Sequence, residues 1–331
     1  MSPQDDGPAH SRLRLAIGNV AYKVRRQVSR FDNAEIRKGR TLARSARKGS
    51  PDVLLFGDSM TSFTAPYDSD RRPFHRMLKD AFDPSLSFHA VHGGSFNPLL
   101  YNEYIRFLEA GRARPLVVLP LTVRVRTLPW MEHPSYGHRR ASAFLASLDP
   151  STPLRRIRKG LPVPPPEVWE RFYALPFPTW AGDLTIGEYV RPLRGRALSE
   201  DLDDAKLLYA YHHGGEILPG EPLDAMQELG ERLRRLDVPV VAYQTPVPVE
   251  KGVELHGPQF RELAERNHIL LEEAFLAGYG EAPVVRTGVS IPTRDFIDWR
   301  DGSEHVNQQG RLLIVDQVAE AARSLGVSTM L

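Results

Sequence analysis

Three short apolar runs, separated by segments with helical spacing, constrain the fold of this chain more than any other feature. The runs lie at residues 53–56, 86–91 and 116–121, and each is too short for a helix of its own, which favours buried strands. Segments at 74–82 and 99–110 place apolar residues at helical spacing between them. This alternation predicts a parallel sheet with helices on its faces. A 2-1-3 strand order would put the switch point of the sheet beside the end of the first strand.

Regular patterns return after residue 237 and predict two more strands and two more helices. Asn307 is placed to cap the start of the last helix, and Gly326 follows its end. The order is a strand at 238–244, a helix at 260–277, a short strand at 283–287 and a helix at 308–325.

The stretch at about 124–237 interrupts this pattern and predicts an insertion that lies over one edge of the sheet. Its first part, to residue 196, is rich in proline, arginine and aromatic residues, and helices are expected at 201–211 and 223–236. The aromatic residues are too many for an unpacked linker. They are Trp130, Trp169, Phe172, Tyr173, Phe177 and Trp180.

Composition excludes several classes of site. The chain of 331 residues has no cysteine, which rules out disulfides, a thiol nucleophile and a thiolate metal site. The pairs His212-His213 and His133…His138 lack the carboxylate spacing of known metal motifs and are interpreted as surface or insertion residues, so neither a metal nor another cofactor is expected. With no apolar run of membrane-spanning length and no signal sequence, a cytoplasmic protein is predicted.

The first fifty residues are strongly basic, with twelve Lys or Arg against four acids. Residues 1–48 are interpreted as a basic helical arm, followed by a domain at 49–331 that carries the insertion. The arm is either a solvated surface or, over residues 11–48, a peripheral contact with anionic membrane or polymer. No aromatic-interleaved basic module accompanies the charge, so nucleic acid is not expected as a partner.

The segment PDVLLFGDSMTSF places Ser59 directly after the first predicted strand. That position is the carboxyl edge of the sheet, where open α/β sheets bind ligands. A serine before a helical segment is often only an N-cap. It acts as a nucleophile when a histidine, oriented by a carboxylate, can take its proton. The segment DWRDGSEHVNQQG, after the fifth strand, offers His305 with nearby acids at the same edge.

Together, GDSM after the first strand and D…H-x-N-x-x-G before the last helix resemble the SGNH (GDSL) hydrolase family. The resemblance covers residues 51–121 and 238–325 and leaves the middle unmatched. It implies a flavodoxin-like three-layer α/β/α sandwich with a parallel central sheet of about five strands. It also implies Ser59 as nucleophile, His305 as general base, and an oxyanion hole formed by the Ser59 N–H with Gly93 or, preferably, Gly94.

The sequence departs from the family pattern at two places. The family's oxyanion asparagine after the third strand is missing from LPLTVRVR, and Thr122 or Asn97 is the nearest polar substitute. The family's aspartate stands three residues before the histidine, where this chain has Gly302. Asp301 is the preferred acid and Asp298 the alternative, whereas Glu304, adjacent to His305, is expected to point away.

The pattern as a whole predicts a serine esterase that removes O-acyl groups, O-acetyl above all, from a carbohydrate or glycolipid. Arg124 and Arg126 follow the third strand on one face and are candidates for binding the substrate, although salt bridges within the insertion would explain them equally well. Two alternatives remain open. One is an O-acyltransferase that uses the same triad with a sugar hydroxyl as acceptor, and the other is a catalytically weak binding protein.

Overall fold

A computed structural model of the protein describes residues 34–124, 139–151 and 202–330. The arm before residue 34, most of the aromatic insertion and Arg126 lie outside these ranges. The side chain of Asp301 is also outside the described part, although its backbone is within it.

Five parallel strands form the central sheet, in the order β2-β1-β3-β4-β5. Gly57 at the end of β1 pairs with His92 of β2, and Leu121 at the end of β3 pairs with Gln244 of β4, so the carboxyl ends of these strands form one edge. The predicted parallel sheet and its 2-1-3 order are confirmed. The strands are β1 (Val53–Gly57), β2 (Phe88–His92), β3 (Leu116–Leu121), β4 (Val240–Gln244) and β5 (Val284–Val285).

Nine α-helices are described around the sheet. Within the described ranges, the helices that the sequence predicts are found, whereas the part of the predicted helical arm before residue 34 lies outside them. Two more helices, α4 and α7, lie where proline, arginine and short length obscured the helical spacing. In the described ranges no helix is both long enough and apolar enough to cross a membrane. The helices are α1 (Ala34–Arg47), α2 (Phe74–Ala81), α3 (Pro98–Glu109), α4 (Arg139–Ala146), α5 (Leu202–His213), α6 (Glu221–Arg235), α7 (Val249–His256), α8 (Gln259–Tyr279) and α9 (Gln308–Ser324).

The two faces of the sheet carry separate hydrophobic cores, as a three-layer sandwich requires. Leu54 and Phe56 of β1 face α1, α3, α6 and α8, whereas Val53 and Leu55 face α2 and α9. This alternation follows from the two-residue period of a strand. Because both faces are covered, the strands are almost wholly apolar, as is typical of buried parallel sheets.

Helix α1 corrects the predicted boundary between arm and domain. Its fourteen residues belong to the segment interpreted as a basic arm, yet Ile36, Leu42 and Ala46 are fully buried in the core. The Tyr104 hydroxyl of α3 donates to the Glu35 carbonyl at 2.9 Å. The basic residues of α1 lie mainly on its outer face, and their charge count masked the apolar stripe. The folded domain therefore includes residues 34–47.

A buried ion pair ties the segment after Ser59 to the last loop. The Asp68 carboxylate accepts from Nη1 of Arg311 in α9 at 2.9 Å and from the Gln308 backbone N–H at 3.1 Å. Nη2 of Arg311 in turn donates to the Asp70 carbonyl at 2.8 Å. A buried charge is tolerated only when it is paired and hydrogen-bonded, which these contacts achieve. They fix the last loop against the segment that carries Ser59.

Truncation of Leu42 tests whether α1 is part of the domain. We expect Leu42→Ala to lower the free energy of unfolding by about 2–5 kcal/mol, since it removes a fully buried leucine. The neighbouring exposed variant Thr41→Ala should stay within about 0.5 kcal/mol of wild type. Urea denaturation followed by circular dichroism measures both, and equal stabilities for the two variants would contradict the integral role of α1.

Candidate active site

Ser59 lies in a tight turn at the carboxyl end of β1. The turn, Ser59–Thr61, is a single 3-10 turn and α2 begins only at Phe74, so the expected helix does not follow directly. The Asp58 carboxylate caps the turn by accepting from the Met60 N–H at 2.9 Å. A Cβ at Gly57 would overlap the Thr61 side chain, which explains why glycine precedes the Asp-Ser pair.

The structure brings Ser59 and His305 together. Nε2 of His305 lies 3.0 Å from the Ser59 Oγ, within hydrogen-bonding reach for proton transfer. The His305 ring stacks on Phe63 with centroids 4.0 Å apart, and the His305 carbonyl accepts from the Ile297 N–H at 2.9 Å. Stacking thus holds the face of the imidazole ring, and the hydrogen bond to Ile297 holds the backbone of His305.

Arg124 and Glu304 complete the surroundings of the serine hydroxyl. Nη2 of Arg124 lies 3.1 Å from the Ser59 Oγ and pairs with the Glu304 carboxylate, whose Oε1 is 3.2 Å from the same Oγ. The Arg124 and Glu304 side chains are only 4% and 1% exposed. The expectation that Glu304 points away is wrong, because the loop around it is not a regular strand and a buried guanidinium requires a countercharge.

Ser59 has one proton and two possible acceptors, so the hydrogen bonds in this cluster compete. A hydroxyl donates once and accepts through two lone pairs, and Arg124 can only donate. The proton of Ser59 therefore points at either His305 Nε2 or Glu304 Oε1. The imidazole is the better acceptor of a transferred proton, because the contact with Arg124 lowers the pKa of the Glu304 carboxylate and makes it the weaker base.

Two buried carboxylates share the single Arg124 guanidinium, and their pKa values separate as a result. Burial on its own would raise the pKa of Glu304, but the contact with Arg124, aided by His305, outweighs it and lowers that pKa. Burial, together with the charge of Glu304, raises the pKa of Asp58 to about 6. Glu304 therefore stays ionised, whereas Asp58 takes up a proton as the pH falls through about 6.

In a catalytic triad, the acid contacts the histidine nitrogen that faces away from the serine, which here is His305 Nδ1. Nδ1 lies 3.1 Å from the Ser303 hydroxyl. The alternative acid, Asp298, instead accepts from the Arg300 backbone N–H at 3.0 Å and from the Arg300 Nε at 2.9 Å. Asp298 is thus engaged in its own turn rather than with the histidine, while the Asp301 side chain lies outside the described residues.

Neither predicted substitute for the oxyanion asparagine offers its side chain to Ser59. The Thr122 hydroxyl donates to the Asp58 carboxylate at 2.8 Å. Asn97 caps α3, accepting from the Leu99 N–H at 3.1 Å and donating to the Ser95 carbonyl at 3.3 Å. Gly94 lies exposed in the loop between β2 and α3, with open space where a Cβ would be. The side-chain donor that does reach the serine is Arg124.

His212 and His213 are buried beside the site rather than at the surface. Nε2 of His213 donates to the Gly302 carbonyl at 2.6 Å and so anchors the turn that leads to His305. Burial, with His212 nearby, lowers the pKa of His213 to about 3, which keeps its ring neutral. Among the described residues, no three His, Asp or Glu side chains converge as metal ligands would.

The raised pKa of Asp58 predicts a pH-dependent stability. A carboxyl whose pKa rises from 3.8 to about 6 on folding loses stability as the pH increases through this range. Between pH 4 and pH 7 we expect the free energy of unfolding of wild type to fall by on the order of 2–3 kcal/mol more than that of Asp58→Asn. Urea denaturation across this range measures the difference. Asp316→Asn, an exposed substitution in α9, is the control and should keep the wild-type dependence of stability on pH. The same dependence in Asp58→Asn would contradict the assignment.

Comparison with known proteins adds no assignment to this geometry. The chain matches no protein-family model, and a search of curated proteins finds no match.

Proposed function

We propose that the protein is a serine esterase of the SGNH type, which removes O-acyl groups from a carbohydrate through an acyl-enzyme on Ser59. The observation that carries the proposal is the 3.0 Å separation of Ser59 Oγ and His305 Nε2. It is supported by the position of this pair beside the switch point of the sheet, where ligand sites form in such folds.

The reaction follows from the contacts of the serine hydroxyl. Ser59 Oγ attacks the ester carbonyl carbon while His305 Nε2 takes its proton, and the carbonyl oxygen becomes an oxyanion. Collapse breaks the bond to the alcohol, which leaves with the proton from His305. A water molecule then attacks the acyl-enzyme, gives one proton to His305, and releases the acid as the proton returns to Ser59.

Arg124 is the proposed stabiliser of the oxyanion. The guanidinium carries five N–H donors, and one of its nitrogens already lies 3.1 Å from the attacking oxygen. A charged donor placed in a buried site stabilises developing negative charge more strongly than it would in water. Glu304 holds the guanidinium in place, so this donor needs no reorganisation during the reaction.

Glu304 also supplies negative charge to the histidine. Its Oε1 lies 3.9 Å from His305 Nε2, so its charge favours the imidazolium that forms as the serine proton is transferred. This is the electrostatic part of the role that an acid plays in a triad. Orientation of the ring is provided separately, by the stacking of Phe63 and the contact of Nδ1 with Ser303.

Exposed aromatic rings beside His305 support a carbohydrate as substrate. Phe63 is 50% exposed although it stacks on the imidazole, and Tyr67 in the same segment is 64% exposed. Apolar faces of this kind suit the flat surfaces of sugar rings. A cytoplasmic location and a contact of residues 11–48 with anionic membrane or polymer stay predictions.

Labelling of Ser59 tests the proposed nucleophile. We expect a fluorophosphonate to add one label to wild type and none to Ser59→Ala, and turnover of p-nitrophenyl acetate to fall to background in that variant. Ser85→Ala, at the opposite edge of the sheet, should behave as wild type. Intact mass and initial rates are the measurements. Wild type that neither labels nor turns over the ester would leave only the binding-protein alternative, and acyl transfer to an added sugar in place of release to water would favour the transferase.

Removal of the guanidinium tests the proposed oxyanion donor. Arg124→Met alone would leave Glu304 buried and unpaired at a cost of about 3–5 kcal/mol, so the informative change is the double variant Arg124→Met/Glu304→Gln. We expect its kcat to fall about a hundred- to a thousandfold with little change in KM. Glu304→Gln alone keeps the donor but leaves the Arg124 charge buried without its countercharge, so its stability is measured beside its kcat. A double variant that folds and retains wild-type kcat would overturn the role of Arg124.

A further inference from the structure

A cluster of basic groups lies at the carboxyl end of the edge strand β2, next to the Ser59 turn. It is formed by Lys38 from α1, His75 from α2 and His92 at the end of β2, and we call it the β2-end cluster. Helices α1 and α2 cover opposite faces of the sheet, so the members of the cluster approach the end of β2 from both faces. None of its members takes part in the proposed reaction.

Contacts within the β2-end cluster hold its members together. The Lys38 ammonium donates to the His92 carbonyl and lies 4.8 Å from the centre of the Phe96 ring. The rings of His75 and His92 stack with centroids 4.6 Å apart. His75 Nδ1 donates to the Thr61 carbonyl at 2.9 Å, so its N–H is fixed and the Nε2 atom faces away from this bond.

Burial determines which members of the cluster carry charge. Burial, followed by the charges of Arg76 and Lys38, lowers the pKa of His75 despite its bond to Thr61. Burial, with His75 and Lys38, lowers the pKa of His92 to about 4. Among the charges that act on Lys38, Glu35 is the acid and Arg37 an opposing base. Burial is the main cause that lowers the pKa of Lys38, so an anion beside its half-buried ammonium would offset the cost of burying that charge.

One hydrogen-bonded turn links the cluster to the nucleophile. The Ser62 hydroxyl contacts His92 Nδ1 at 2.9 Å, and the Ser62 N–H donates to the Ser59 carbonyl at 3.0 Å. A 3-10 turn of three residues rises about 6 Å, so the cluster and the reacting serine lie close enough for one saccharide unit to reach both. The aromatic rings of Phe63 and Tyr67 lie in the segment that follows.

We propose that the β2-end cluster binds an anionic group, a carboxylate or a phosphate, carried by the same saccharide whose ester Ser59 attacks. Lys38 supplies the charge, and the stacked rings of His75 and His92 form a wall beside it. This inference rests on the proposed function and sharpens it, since it makes the substrate an acidic sugar rather than a neutral one. Charge-assisted hydrogen bonds of this kind discriminate strongly against a neutral analogue.

Matched substrates test the inference. Catalytic efficiency is measured on O-acetylated glucuronic acid, O-acetylated glucose 6-phosphate and O-acetylated glucose, with p-nitrophenyl acetate as a substrate that has no anionic group. We expect wild type to prefer at least one acidic sugar, and Lys38→Met to lose about ten- to a hundredfold on that sugar while it keeps its rate on the neutral ones. The two acidic substrates distinguish a carboxylate from a phosphate ligand. Lys79→Met, in the last turn of α2, is the matched control and should behave as wild type.

A binding measurement keeps this inference separable from the esterase proposal. In the Ser59→Ala variant, glucuronate or glucose 6-phosphate should shift the ring-proton NMR signals of His75 and His92, whereas glucose should not. Such shifts would support the cluster even if no ester were hydrolysed. Equal efficiencies of wild type on acidic and neutral sugars with no shifts would overturn it, and so would a uniform loss of rate on all substrates in Lys38→Met, which indicates a purely structural lysine.

Discussion

The buried pair of Arg124 and Glu304 is the interaction on which the arrangement of the site depends. Arg124 follows β3 and Glu304 belongs to the loop before α9, so the pair joins two segments that are 180 residues apart in the chain. Breaking such a pair leaves a buried charge without compensation, a penalty of about 3–5 kcal/mol that favours a single closed arrangement of the two segments. Both partners also contact the Ser59 hydroxyl, which ties the position of Ser59 to the pair.

The loop that carries His305 is held by several independent contacts, and this redundancy matters for chemistry. The Asp68–Arg311 pair fixes the start of α9, His213 holds the Gly302 carbonyl, and Phe63 covers the imidazole. These contacts come from different elements of the fold, so the position of His305 does not depend on any one of them. A catalytic pair gains rate only when its atoms are held near the reacting geometry, and a loop without such ties would lose that advantage.

Much of the architecture could be predicted from the sequence because it depends on local periodicity. The apolar runs marked the strands, and Asn307 caps α9 through bonds to the Gln309 and Gly310 N–H groups as expected. The errors have physical causes of two kinds. In α1 the basic residues concealed a buried stripe, and Asn97 proved to be a helix cap. The contact of Arg124 with Glu304 depends on tertiary packing, which no pattern near either residue reveals, and strand alternation pointed Glu304 the wrong way.

The buried guanidinium of Arg124 explains why a glutamate lies beside it. A neutral amide needs no countercharge, whereas a guanidinium in the same buried region does, and Glu304 provides it. Burial raises the pKa of the second carboxylate, Asp58, and the charge of Glu304 raises it further, to about 6. The Thr122 hydroxyl donates to that same Asp58 carboxylate. The Arg124 guanidinium thus accounts for the buried glutamate, and the charge of that glutamate contributes to the raised pKa of Asp58. The side-chain donor next to Ser59 is therefore a charged group.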